Sequence, residues 1–231
     1  GWKSLDVPVN EENISFVAKC EVEDYNETLY GYQQFRSKET ADYEPYLSVF
    51  SNNSWVSGKY GTALSFDGSD DHVIISHSTD LEITDSITIS AWVKPNELDR
   101  YQRLVQKCYG APEYGNYCLE FSSANVFRLR LGDGSAFHQF DSVTAPTSGV
   151  WYHVVGTYDG SVGKIYINGY LDSQTPSVFS ISNISSSLQI GGLSGADSFN
   201  GIIDDVRIYN YARSEEQIRQ DYNAGLSTHF R

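Results

Sequence analysis

The chain has 231 residues, 40% of them hydrophobic and 14% aromatic, with a net charge of −14. At this size folding buries roughly 70% of the unfolded surface, so a core forms without metal or disulfide staples. The acidic balance excludes nucleic acid as an expected partner, because phosphate contacts need clusters of Lys and Arg, and it favours cations, Ca²⁺ above all, which take carboxylate oxygens.

Residues 1–60 show the least pattern. Acidic and polar residues mix with short apolar runs, Asn52-Asn53-Ser54 reads as a turn, and Val56 to Gly61 reads as a loop leading into strands. From Thr62 onward short alternating segments follow one another between turn signals. Ala63 to Phe66 stops at Asp67-Gly68, and Val73 to Ile75 follows Ser69-Asp70-Asp71. Ile87 to Val93 alternates and stops at Pro95. Leu104-Val105 and Cys118 to Phe121 flank a loop rich in tyrosine. In the next strand Phe127, Leu129 and Leu131 alternate with Arg128 and Arg130, and Gly132-Asp133-Gly134 turns the chain towards Phe137 to Val143. Trp151 to Tyr158 ends at Asp159-Gly160, and Lys164 to Ile167 runs into Asn168-Gly169, a pair that tolerates the positive φ angles of a type I′ hairpin. Leu188 to Ile190 and Gly201 to Tyr209 complete the strands. Ser214 with Gln217 fits a capping box, Ile218 and Tyr222 share a face, and Gly225 is a natural stop, which predicts one C-terminal helix. Roughly a dozen strands at hairpin spacing specify an all-β, two-sheet antiparallel sandwich or jelly roll. We read residues 1–231 as one domain, with 1–60 an atypical N-terminal part and 61–212 the recognisable core.

Cys108 and Cys118 enclose a short loop with Pro112, Gly110 and Gly115 that can close as a disulfide, leaving Cys20 as the odd, buried thiol. The sequons at Asn13, Asn26, Asn52 and Asn183 lean towards an exported glycoprotein. No apolar run is long enough to span a membrane, and a chain that begins at Gly1 without a signal-peptide core looks processed.

Taken in order, five segments resemble the LamG-like jelly rolls of the concanavalin A-like lectins and glucanases. They are Gly61-Thr62-Ala63-Leu64-Ser65-Phe66-Asp67-Gly68, Ile87 to Pro95, Trp151 to Gly160, Ile165 to Gly169, and Phe199 to Asn210. The resemblance implies two curved antiparallel sheets, an extracellular location, carbohydrate or protein binding, and often a structural Ca²⁺. Residues 1–60 depart from the family pattern.

Two acidic groups are candidate metal ligands. Strict alternation puts Asp204 on one face with Ile202, Val206 and Ile208, and an acid on an apolar face must be paired, capped or metal-bound. A related strand position in the glucanases is similar to a calcium ligand. Asp67, Asp70 and Asp71 crowd into one turn, where carboxylates repel unless solvated or bridged by a cation. Tyr109, Tyr114, Tyr117 and His138 are candidate sugar contacts, whereas Trp92 and Trp151 read as structural. Arg128, Arg130, Tyr166 and His153 read as sharing an outward sheet face. The alternating carboxylates of a glucanase strand are missing, and the nearest stretch, Glu21 to Glu27, has the wrong spacing and place. We therefore expect a non-catalytic extracellular module that binds glycans or cell-surface proteins, with a structural Ca²⁺ as the resemblance implies. The alternatives are a structural subunit of a filament, sheath or viral appendage that self-assembles through its N-terminal region, and a divergent glycosidase.

Overall fold

Apolar side chains at every second residue build the centre of the molecule. In β7 (Ile87–Pro95), Ile87, Ile89, Ala91 and Val93 face the core, while Thr88, Ser90 and Trp92 face the other way. β9 (Tyr117–Phe121) and β10 (Phe127–Gly132) do the same, with Tyr117, Leu119 and Phe121 opposite Leu131, Leu129 and Phe127. The inner faces meet in one apolar layer that also takes in Phe66, Val154, Ile165 and Ile208. Each such side chain contributes roughly 1.5–3 kcal/mol on burial, which holds the two sheets together.

The computed structural model describes residues 14–18, 32–35, 47–50, 54–107, 115–192 and 197–227. The remaining strands are β1 (Ile14–Ala18), β2 (Tyr32–Phe35), β3 (Leu47–Phe50), β4 (Ser54–Ser57), β5 (Thr62–Asp67), β6 (His72–Ile75) and β8 (Gln102–Lys107). After β10 come β11 (Phe137–Asp141), β12 (Tyr152–Tyr158), β13 (Val162–Ile167), β14 (Tyr170–Pro176), β15 (Leu188–Ile190) and β16 (Asn200–Tyr209). The first sheet runs β14-β13-β12-β7-β16-β5-β4, with β1 also paired to β16. The second runs β11-β10-β9-β8-β15-β6-β3-β2. Every pairing is antiparallel, as the sandwich reading expects.

Four local features differ from the sequence reading. Val56 and Ser57 belong to β4, so the loop into β5 starts only at Gly58. The patternless N-terminal region supplies strands to both sheets, since β1 and β4 join the first and β2 and β3 the second. The helix α1 (Glu215–Ser227) runs past Gly225. Its predicted capping box forms: the Gln217 amide donates to Ser214 Oγ at 3.3 Å, and the Ser214 amide donates to Gln217 Oε1 at 2.9 Å.

The fourth difference changes the meaning of Asp204. A β-bulge interrupts β16 between Asp204 and Arg207, and Asp205 takes φ +48° there. The extra residue shifts the alternation by one. Ile203 pairs with Val93 and Ile208 with Ile89, so these face the core, whereas Asp204 pairs with the outward Trp92. Asp204 is therefore on the outer face of the first sheet, not among the apolar side chains with Val206 and Ile208.

Candidate functional site

Chemistry-bearing side chains gather in three places, and the first is the outer face of the first sheet. Asp204 is only 8% exposed there. Its Oδ2 accepts from the Tyr60 amide at 2.7 Å, and the amides of Lys59 and Asp205 bear on the same carboxylate. Burial pushes its pKa up to about 6; the Tyr60 amide opposes this, and the neighbouring Asp205 adds to it. Gly58 makes the wrap possible, because a Cβ there would lie 2.6 Å from Asp204 Oδ2. Around it Arg207 Nε donates to Asp205 Oδ1 at 3.0 Å, and Asp221 of α1 pairs with Arg213 at 2.9 Å. Tyr222 of α1 stacks on Trp92 with ring centroids 5.6 Å apart, and Trp92 lies 5.1 Å from His153. Burial, then Arg207 and Arg213, hold the His153 pKa down at about 3. This face is sealed by α1. Asp204 caps a turn with its lone pairs, the alternative to metal ligation, and it is apart from the acidic turn of β5.

That turn is the second place. Single carboxylate oxygens of Asp67, Asp70 and Asp71 lie within 4.8 Å of one another. Asp71 is buried and its Oδ2 accepts from the Asp67 amide at 2.9 Å; Asp67 and Asp70 are exposed. Ser198 Oγ donates to Ser69 O at 2.9 Å, which ties the turn to the β15–β16 connection. Gly68 has φ +83°, and a Cβ there would stand 2.7 Å from Arg100 Nη2. The donor set is all oxygen, of the kind a hard divalent cation takes.

The third place is the outer face of the second sheet, where three antiparallel strands bring four charges together. Register sets Glu120 of β9 opposite Arg103 of β8 on one side and Arg128 of β10 on the other. Glu120 is fully buried, yet it points away from the core. Its Oε2 accepts from Arg103 Nη1 and from the Cys118 thiol at 3.5 Å, and Arg130 Nη2 is 3.3 Å away. Its Oε1 lies 3.7 Å from Arg128 Nη1 and has no hydrogen bond among the described residues. Arg128 is held in a bidentate pair with Asp141 at 2.5 and 2.9 Å. Arg130 lies over the Phe137 ring at 4.5 Å. Gln106 and Gln189 extend the polar floor through a 2.6 Å hydrogen bond. Arg128 and Arg130 do share an outward face, but Tyr166 and His153 are on the other sheet.

The remaining sequence candidates fall elsewhere. Tyr117 is a core residue; its hydroxyl donates to Leu81 O at 3.2 Å and burial drives its pKa up, so it is no sugar contact. Period two decides this, because Tyr117 shares the inner face of β9 with Leu119 and Phe121. His138 stacks on Phe179 at 3.7 Å, and its Nε2 lies 2.9 Å from Asp133 Oδ2, which fixes it as packing at the sheet edge. Trp92 is buried, as expected of a structural residue. Cys118 is buried on β9, and no disulfide is seen among the described residues. Its expected partner Cys108 lies outside them, as do Cys20, Tyr109, Tyr114, Asn13, Asn26 and Asn52. Asn183 is half-buried in the connection between β14 and β15. Nothing in the sequence singles out Glu120 and Arg103. The alternation of Arg128 and Arg130 with apolar residues is the available signal.

Two packed antiparallel sheets with a charged outer face define a lectin-like jelly-roll sandwich. The chain belongs to the concanavalin A-like lectin/glucanase superfamily, whose laminin G family matches residues 67–219. No curated protein matches the chain at a significant level. Among solved structures it is similar to the binding domain of Paraclostridial Mosquitocidal Protein 1, at 18% identity and TM-score 0.65, covering 78% of this chain and 48% of that one. It is also similar to domain 4 of AbnA, a GH43 extracellular arabinanase from Geobacillus stearothermophilus solved with arabinotriose. That match has 20% identity and TM-score 0.60 and covers 74% and 81% of the two chains. A botulinum neurotoxin type C structure, described by cell entry that depends on two ganglioside molecules, matches at 16% identity and TM-score 0.64, covering 79% and 47%. The chain thus spans about half the length of the toxin domains it matches. At these identities the likeness shows the fold.

Proposed function

We propose that the chain is a non-catalytic, extracellular recognition module that binds carbohydrate or a cell-surface ligand on the outer face of its second sheet. The observation that carries this reading is the cluster around Glu120: three guanidiniums held in place on a rigid sheet by one buried carboxylate. Preorganised donors of this kind suit a polar ligand, because little order is lost on binding. The arabinotriose complex of one structural relative and the ganglioside dependence of another support the class of ligand. A glycosidase needs two carboxylates across the scissile bond, one of them able to hold a proton. On β8 to β10 the outward carboxylate is Glu120, and it is surrounded by arginines.

The same reading assigns a structural Ca²⁺ to Asp67, Asp70 and Asp71, whose oxygens lie close enough for one ion. A glycan array run with and without Ca²⁺ tests both parts. Hits that weaken in Arg103→Lys protein that still unfolds cooperatively support the recognition face; an array with no hits overturns it. Protein stripped of metal should gain melting temperature on adding millimolar Ca²⁺, and the Asp70→Asn variant should lose that gain. No shift removes the calcium assignment.

A further inference from the structure

Charge is distributed unevenly over the sandwich. The chain carries −14 overall, yet three arginines converge on one carboxylate in the middle of the outer face of the second sheet. Glu120 balances one of them. The other two depend on Asp141 and Asp197 at the margin, which are 43% and 48% exposed. The Arg128–Asp141 pair is bidentate and firm, whereas Arg103 meets Asp197 through one contact at 3.2 Å, an exposed pair of the kind that contributes little.

Arg130 is the least satisfied of the three. Nη2 has Glu120 at 3.3 Å, one side of the guanidinium lies over Phe137, and the buried Nε has no hydrogen-bond partner among the described residues. Glu120 Oε1 is likewise buried without one. Arg103, Arg128 and Arg130 keep 14%, 11% and 15% of their side chains exposed. Tyr101, 41% exposed, borders the same patch, where Ser123 and Arg128 lower its pKa. Planar forks of this kind match the two oxygens of a carboxylate.

Building on the recognition function above, we infer that this face selects acidic sugars, binding the carboxylate of a uronic or sialic acid through Arg130 and its neighbours. The carboxylate takes the place of an exposed marginal aspartate beside the arginines, and Gln106 and Gln189 supply a polar floor beside it.

The test uses the whole chain and two matched pairs of probes: sialyllactose with lactose, and tetragalacturonate with its methyl ester. Isothermal titration should show binding of an acid member at least about tenfold tighter than its neutral counterpart, which is about 1.4 kcal/mol. In protein that still unfolds cooperatively, though at a lower melting temperature because Glu120 loses a partner, Arg130→Gln should abolish that preference. Arg130→Lys keeps the charge without the fork and should reduce it; this second variant also covers a folding failure of the first. If lactose and the ester bind as tightly as the acids, or if the arginine variants keep the preference, the acid selectivity is wrong while glycan recognition stands. If neither pair binds and an array of neutral and acidic glycans has no hits, glycan recognition fails as well.

Discussion

The substitution Asp204→Asn should change how stability depends on pH, with a sign fixed by the surroundings of the carboxylate. Burial raises its pKa from 3.8 to about 6. Between those values the folded protein holds a proton that the unfolded chain has released. Stability from this group is therefore fully present below the unfolded value and is lost as pH rises through the folded one. At about 1.4 kcal/mol per pH unit, ionising Asp204 costs the fold about 3 kcal/mol by pH 7. An amide side chain in its place would stay neutral throughout and keep one oxygen for the Tyr60 amide, which now donates at 2.7 Å. The variant should compare worst with the natural chain near pH 4 and improve by about 3 kcal/mol by pH 7. Urea unfolding in chelator at several pH values, with unchanged slopes against denaturant, measures the difference. A difference that is flat in pH would refute the argument. One that worsens as pH rises would mean that the carboxylate is stabilised as an anion, as a bound cation would do, and would restore Asp204 as a metal ligand.

His153→Phe should show the opposite trend. Burial holds His153 neutral, with its pKa lowered from 6.5 to about 3, so its contribution is present above the unfolded value and lost as pH falls. A Phe ring keeps the contact with Trp92, and the variant should gain about 3 kcal/mol on the natural chain between pH 7 and pH 4.5; a pH-independent difference in the same unfolding assay would count against it. Gly58→Ala should cost roughly 1–3 kcal/mol, because the new Cβ would lie 2.6 Å from Asp204 Oδ2 and 2.8 Å from Ala63 Cβ. Gly61→Ala is its control, since no atom lies within 4 Å of the Cβ and only the φ of +60° is strained; equal losses in thermal melts would remove the steric explanation.

The sandwich is legible because its central strands alternate cleanly and its turns use residues that tolerate them. Asn168 and Gly169 take φ +53° and +82°, as their dipeptide predicts. β14 leaves no signal, since Tyr170 to Pro176 is an edge strand whose side chains are mostly exposed and polar. β1 to β3 are short, and β1 finds its partner far along the chain, so local pattern does not reveal them. The bulge at Asp204 and Asp205 is hidden for a different reason. Both strict alternation and a one-residue slip place apolar residues on each side of the acids, and only the pairing of Asp204 with Trp92 chooses between them. The Glu120 cluster needs three strands in register. Arg128 and Arg130 can be placed on one face from β10 alone, but Arg103 and Glu120 join them through the pairings of β8, β9 and β10.

That register also limits what net charge can say about partners. A total of −14 favours cations when the chain is treated as one charged body. At physiological ionic strength, however, exposed charges more than about 8 Å apart are largely screened from one another. A ligand on the second sheet therefore responds mainly to the groups beside it. Those groups are three guanidiniums and one buried carboxylate, with two half-exposed aspartates at the margin. On the first sheet the acids are in excess: Asp204, Asp205 and Asp221 outnumber Arg207 and Arg213, and α1 covers them. The acid-rich network is committed to holding the helix against the sheet. The second-sheet cluster sets three arginines against Glu120, Asp141 and Asp197, and only the last two of these acids are exposed, so an acidic ligand would compete with those two. An acidic protein can in this way present arginines to an acidic ligand, provided that the strand register concentrates the few cations it has.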